Sequence, residues 1–134
     1  MSLLWLEAGA GRTTMVPVKY ILQHYRPTEH STWDDTRRDF EQEHPVVMNA
    51  LRDDLKSKGP QRPVQAVAHP EGGWEIANGH HRILAADDIG LSHLPVDHYE
   101  SYQDLPRKKE YWNPETRAHY GPEDDPDDEG QVRY

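Results

Sequence analysis

The chain has 134 residues, a length that suits one domain with a single modest core. It contains no cysteine, which excludes disulfides, thiolate metal sites and a cysteine nucleophile. Its net charge of −9 is unevenly distributed, because residues 121–134 hold six acids and one arginine. The rest of the chain is only mildly acidic and lacks a basic surface for phosphate contacts, so we expect no strong DNA binding.

The ends of the chain differ from its middle. No apolar run is long enough to span a bilayer and the N-terminus lacks the basic start of a secretory signal, so we expect a cytoplasmic protein with no membrane partner. Residues 1–14 form an N-terminal extension in this interpretation, with a helical turn possible at residues 3–6. Residues 104–119 show a weak helical pattern with aromatic residues. Residues 121–134 have almost nothing to bury and are predicted to be a disordered acidic tail.

Residues 15–120 are predicted to form the folded domain, whose strands show as short alternating segments. Residues 15–21 indicate a first strand with an early proline. Residues 63–68 indicate a second strand, and residues 74–77 a third that returns antiparallel after a glycine turn. Residues 94–99 indicate the last strand. Strands and helices in this order predict a small α+β domain.

Three helices are predicted between these strands. Ser31 or Thr32 provides an N-cap for the first helix. The second begins near Pro45, a residue suited to a first helical turn, and is ended by Gly59. The third is short and is ended by Gly90.

The most informative stretch lies at the start of this third helix. The first N–H groups of a helix lack intrahelical partners and carry partial positive charge, which favours a bound anion. Gly79 lets the backbone approach a ligand, and Arg82 can hold a phosphate with two N–H groups. We therefore predict a nucleotide or phosphate site formed by Asn78, Gly79, His80, His81 and Arg82. The alternative is a common Asn-Gly turn followed by solvated side chains.

Two segments of the chain resemble the ParB/sulfiredoxin superfamily. Residues 59–67 resemble its Gly-x-x-x-Pro-apolar-x-Val segment. Residues 79–86 resemble its Gly-x-x-Arg-x-x-Ala-Ala helix, and a glycine stop and a Pro-Val strand follow. The resemblance covers roughly residues 16–99. It implies a small ParB/sulfiredoxin-like domain, in which helices pack on a mixed sheet.

The resemblance also implies a ligand. In this superfamily the Gly-x-x-Arg element usually holds the phosphates of a nucleotide. Gly79, His80, His81 and Arg82 would then bind a nucleoside triphosphate, with or without Mg²⁺. Arg62 stands where ParB proteins commonly carry a glutamine beside the nucleotide, which implies that it reaches the same ligand.

Departures from the superfamily patterns narrow the implied activity. Sulfiredoxins need a cysteine where this chain has His80, so sulfiredoxin chemistry is excluded. ParB proteins add a Glu-Asn motif and a DNA-binding domain that this sequence does not show, which argues against a partition clamp. The local motif is most similar to free-serine kinases, which carry Asp-Gly-His-His-Arg and an upstream catalytic glutamate. Glu29 falls near that glutamate, but Asn78 replaces the aspartate, and an amide cannot serve as a general base.

Two other functions stay open. One is a metal-dependent DNase, since the superfamily includes domains called ParB-like nucleases; Glu29, Asp34 and Asp35 would be its carboxylates. We expect the two aspartates instead to serve a helix N-terminus. The other is a non-catalytic module with an unknown protein partner. The nine histidines show no metal-ligand spacing, so we predict no metal site. The small acidic chain is in keeping with an accessory protein of a phage or mobile element.

Overall fold

The computed structural model describes residues 6–8 and 11–105, with side chains from residue 13 onward. The strands are β1 (Leu6–Ala8), β2 (Gly11–Pro17), β3 (Tyr25–Arg26), β4 (Val64–Ala68), β5 (Trp74–Asn78) and β6 (His93–Tyr99). The helices are α1 (Val18–His24), α2 (Trp33–Glu43), α3 (Pro45–Lys58) and α4 (His80–Asp88), and a 3-10 turn spans Tyr102–Asp104. The weak helical pattern from residue 106 onward and the acidic stretch 121–134 lie outside the described residues.

The strands form one mixed sheet in the order β1-β2-β6-β4-β5-β3. β4 runs parallel to β6 and β3 parallel to β5, while the other neighbouring pairs are antiparallel. Residues 6–8 and 11–14, which the sequence leaves as an extension, contribute to one edge of this sheet. The predicted α+β domain with a mixed sheet is confirmed.

The prediction of a strand over residues 15–21 is wrong in its second half. The strand ends at Pro17, and Val18 begins α1. Val18 and Ile21 lie about one helical turn apart and are both buried in the core. The alternation of Val16, Val18 and Tyr20 indicates a strand, whereas the spacing of Val18 and Ile21 suits a helix, and packing against the core favours the helix.

Helix α2 begins where the sequence predicts, and α3 both begins and ends where it predicts. Thr32 caps α2, because its Oγ1 accepts the backbone N–H of Asp35 at 3.0 Å. Asp34 and Asp35 lie in the first turn, where negative charge complements the helix dipole. α3 begins at Pro45 and ends before Gly59, whose φ is +73°.

The core lies between one face of the sheet and the helices. Its large buried side chains include Ile21, Phe40, Met48, Ile76, Ile83, Leu84 and Leu94. α4 is buried at every position from His80 to Ala86, so the start of this helix lies inside the fold. Among the described helices, none has both the length and the apolar composition that a membrane-spanning helix requires.

A network of ion pairs joins α4 to α2 and α3. Arg37 contacts Asp87 at 2.8 Å and also contacts Asp88. Arg52 contacts Asp88 at 2.7 Å and Glu41 at 3.0 Å. Acids in the last turn of a helix are unfavourable for its dipole, and the two arginines offset this charge.

Candidate functional site

The candidate site is the turn between β5 and α4. Gly79 caps the helix with φ +108° and ψ 14°, a backbone conformation that L side chains rarely adopt. The turn also lies against Val64 of β4 so closely that a side chain at Gly79 would collide with it. α4 has no acidic residue in its first turn, so its own sequence does not neutralise the positive end of the dipole.

His80 forms a hydrogen bond with the loop that carries Glu29. Its Nε2 accepts the backbone N–H of Thr28 at 2.9 Å, and the hydroxyl of Thr28 donates to the carbonyl of Ile76 at 2.7 Å. An accepting Nε2 assigns the ring proton to Nδ1. The Trp33 ring lies 5.5 Å from the His80 ring, centroid to centroid. The loop with Glu29 is thereby held beside the start of α4.

His81 faces α2 and α3 instead. Its ring stacks on Phe40 with 3.7 Å between centroids and 1° between planes. Its Nε2 lies 2.9 Å from Nδ1 of His44, so one ring donates to the other. The two adjacent histidines of α4 therefore contact different neighbours, as the rotation of about 100° per helical residue dictates.

The guanidinium of Arg82 is bonded to the backbone before β4. Its Nη2 donates to the carbonyl of Pro63 at 2.9 Å, and its Nη1 donates to the carbonyl of Arg62. Both arginines are buried, with 5% of Arg82 and 7% of Arg62 exposed. Arg82 thus ties α4 to β4, a role that sequence reasoning missed. Phosphate contacts of Arg62 and Arg82 stay predictions.

Asn78 ends a row of hydrogen-bonded polar side chains across the sheet. Its Nδ2 donates to Oε1 of Gln65 at 2.5 Å, and Gln65 is bonded to the hydroxyl of Tyr99. Tyr99 donates to Oδ2 of Asp97 at 3.3 Å, and Thr13 donates to Oδ1 of the same carboxylate. Sequence reasoning missed all of these partners of Asn78. The signal was a polar residue inside each of two apolar strands, Gln65 in β4 and Asp97 in β6.

Burial and hydrogen bonding act in opposite directions on Asp97. Burial raises the pKa of Asp97, whereas the bonds from Thr13 and Tyr99 and the charge of Arg82 lower it, and the effect of burial prevails. Burial and the neighbouring carboxylate raise the pKa of Tyr99. Burial therefore disfavours the ionised form of Asp97, and its hydrogen bonds and the charge of Arg82 offset only part of that desolvation cost.

The aspartates of the nuclease hypothesis serve the fold. Asp34 and Asp35 lie in the first turn of α2, which confirms their predicted place at a helix N-terminus. Hydrogen bonds from Arg38, at 2.7 Å, and from Thr32 lower the pKa of Asp35. Within residues 6–8 and 11–105, no group of three or more histidines and carboxylates is placed to hold a metal ion.

An open cleft of about 480 Å³ borders the loop that carries Glu29. Its lining is formed by Leu22, Gln23, His24, Tyr25, Arg26, Pro27, Ser31, Thr32, Trp33 and Asp34. The indole N–H of Trp33 donates to the carbonyl of Tyr25 at 2.9 Å, which fixes the indole at this cleft. The volume lies within the range of small-molecule sites.

Two solved structures are similar to this fold. Sulfiredoxin from Arabidopsis thaliana matches with a TM-score of 0.47 and 15% identity, over 66% of this chain and 85% of the sulfiredoxin. The C-terminally truncated chromosome-partitioning protein ParB from Caulobacter crescentus, complexed with CTP-gamma-S, matches with a TM-score of 0.48 and 22% identity. That match covers 69% of this chain and 47% of the ParB chain. No family model and no curated protein sequence matches the chain. The likeness concerns the fold alone.

Proposed function

We propose that this protein binds a nucleotide or another phosphate compound at the start of α4. The observation that carries the proposal is Arg82, a buried arginine in the first turn of a helix that has no acid there. A helix N-terminus favours a bound anion, and a guanidinium group can hold a phosphate with two N–H groups. Asp97 offsets part of the charge of Arg82 from the sheet.

The residues present suit a nucleoside triphosphate. In this proposal the turn at Gly79 brings the first N–H groups of α4 to the phosphates, and Arg62 and Arg82 supply positive charge. When Mg²⁺ accompanies such a ligand, phosphate oxygens and water provide most of its coordination, which requires few protein ligands. His80 holds the Glu29 loop beside this ligand through Thr28.

Phosphoryl transfer is the reaction that this arrangement would suit. We propose Glu29 as the residue to test, because its loop is bonded to the first residue of α4 and borders a cleft with room for an acceptor. A glutamate there would accept the proton of an attacking hydroxyl. Glu29→Gln would then abolish turnover and leave nucleotide binding intact.

A non-catalytic interaction module is the second candidate. It is favoured by the contacts that His80, His81 and Arg82 make within the fold. Side chains that hold the fold together would be present without any ligand. In this case the protein would keep the helix start for structural reasons and act through a protein partner.

Calorimetric titration of the full chain with ATP, CTP, GTP and pyrophosphate, with and without Mg²⁺, separates these candidates. Loss of one charge-assisted contact is worth roughly 1.5–3 kcal/mol, so Arg62→Gln should weaken binding about ten- to a hundred-fold. Arg38→Gln, an exposed arginine of α2, is the matched control and should bind as the wild type does. Arg82→Ala removes two contacts to backbone carbonyls and should also lower the melting temperature. No heat with any of these compounds from a folded wild-type sample would favour the interaction module.

A further inference from the structure

The hydrogen bonds of the polar row, which runs from Asn78 through Gln65 and Tyr99 to Asp97, all have the same direction. The amide N–H of Asn78 donates to Gln65, and Tyr99 donates to Asp97. Gln65 is bonded to Tyr99. Because the hydroxyl of Tyr99 donates its one proton to Asp97, its oxygen accepts from the side-chain N–H of Gln65. Each donor from Asn78 onward therefore points towards the carboxylate of Asp97.

The pairing of the strands builds this row. Gln65 is aligned with Asp97 in the parallel ladder and with Asn78 in the antiparallel ladder. In the antiparallel ladder Gln65 is aligned with Asn78, but the next residue, Ala66, is aligned with Ile76, so the register shifts between Gln65 and Ala66. Residues two apart in a regular strand share a face, so without the shift Asn78 would point to the core with Ile76. The register shift therefore places the side chain of Asn78 on the same face of the sheet as Gln65.

We propose that Asp97 is a positioning residue for the ligand site, which orients the side chain of Asn78 through Tyr99 and Gln65. An ionised carboxylate only accepts hydrogen bonds, so Tyr99 must donate to it. The Tyr99 oxygen then accepts from the amide of Gln65, and the oxygen of Gln65 accepts from Asn78. A neutral row could be bonded in either direction, and the charge of Asp97 removes that freedom. Asn78 directly precedes Gly79, where the ligand site is proposed. The importance of its orientation for a ligand therefore rests on the function proposed above.

The groups that act on Asp97 are known from the fold. Within the described chain they are the hydroxyl of Thr13 on β2, the hydroxyl of Tyr99 on its own strand and the charge of Arg82 on α4. Thr13 binds Oδ1 and lies outside the path from Asp97 to Asn78, whereas Tyr99 lies on it. These two hydroxyls therefore offer a matched pair of substitutions.

The orientation can be tested in the free full-length protein by following the side-chain amide signals of Asn78 and Gln65 by NMR as the pH is lowered. In the wild type both signals should move with the titration of Asp97. In Thr13→Val both amide signals should still move with the titration of Asp97, but at a higher pH. The bond from Thr13 lowers the pKa of Asp97 in the wild type, so its loss raises that pKa. In Tyr99→Phe the Asn78 signal should no longer follow. An Asn78 signal that ignores Asp97 in the wild type, or follows it equally in Tyr99→Phe, would overturn the proposal.

The consequence for the ligand is tested by titration with pyrophosphate near neutral pH. Asp97→Asn and Tyr99→Phe should each weaken binding about threefold to tenfold, the effect of one hydrogen bond. Thr13→Val should bind as the wild type does. Unchanged affinity in both of the first two variants would show that the orientation of Asn78 does not serve the ligand. If the wild type binds no phosphate compound, the proposed function fails, and the NMR titration still decides whether Asp97 orients Asn78.

Discussion

A Cβ atom built on Gly79 would lie 2.4 Å from Cγ1 and 2.7 Å from Cβ of Val64. Val64 is fully buried and its strand is bonded on both sides, so it has no room to withdraw. The backbone of Gly79 also has a φ of +108°, which excludes most side chains. Two independent constraints thus require glycine between β5 and α4.

Gly79→Ala should therefore destabilise the protein through strain and overpacking together. Each of these effects is worth about 1–3 kcal/mol of unfolding free energy. Gly90→Ala is the control, because Gly90 has a φ of +77° and its Cβ would meet nothing within 4 Å. Urea unfolding of both variants should show the larger loss at Gly79. Equal losses would mean that Val64 yields to the new side chain.

The ion pairs at the end of α4 should make stability depend on salt. Asp88→Asn removes the partner of Arg37 and Arg52 and should cost about 0.2–1 kcal/mol for each contact at low salt. The loss should shrink in 1 M NaCl, where screening acts over about 3 Å. Asp53→Asn, on the exposed side of α3, should change the melting temperature little at either salt concentration. A loss at Asp88 that salt leaves unchanged would point to packing instead of charge.

The bond between His80 and Thr28 should control the mobility of the Glu29 loop. His80→Phe keeps a ring of similar shape and removes the acceptor at Nε2. Loss of one hydrogen bond, about 0.5–1.5 kcal/mol, should speed hydrogen exchange of the Thr28 amide about twofold to tenfold. His93→Phe, an exposed change on β6, should leave that amide unaffected. Unchanged exchange in His80→Phe would show that the Ile76 carbonyl alone holds the loop.

Asp97 should make the protein less stable as the pH rises. Because its pKa is raised in the fold, the folded protein binds more protons than the unfolded chain between the ordinary value of 3.8 and the raised pKa. Its contribution to the free energy of unfolding therefore falls as the pH rises through that window. The melting temperature of Asp97→Asn minus that of the wild type should increase with pH across it. A difference that decreases would mean that the bonds from Thr13 and Tyr99 outweigh burial.

Local patterns in the sequence were enough to place several elements. The bounds of α3, the Thr32 cap and the hairpin of β4 and β5 follow from residues within a few positions of one another. Caps, proline at a helix start and glycine with positive φ act through nearby backbone groups, so their effect is visible without the rest of the fold. The stretch from Asn78 to Arg82 stood out for the same reason.

The partners of those residues were decided only by the tertiary structure. Arg82 meets carbonyls about twenty positions earlier, and His80 meets Thr28, which is 52 positions away. Asn78 joins Gln65 and Asp97 because β4 lies between β5 and β6, with a register shift beside Gln65. Likewise α1 is a helix because Val18 and Ile21 find core neighbours. Such contacts depend on strand order and register, which residue spacing along one chain does not specify, because many pairings satisfy the same alternation of apolar and polar side chains.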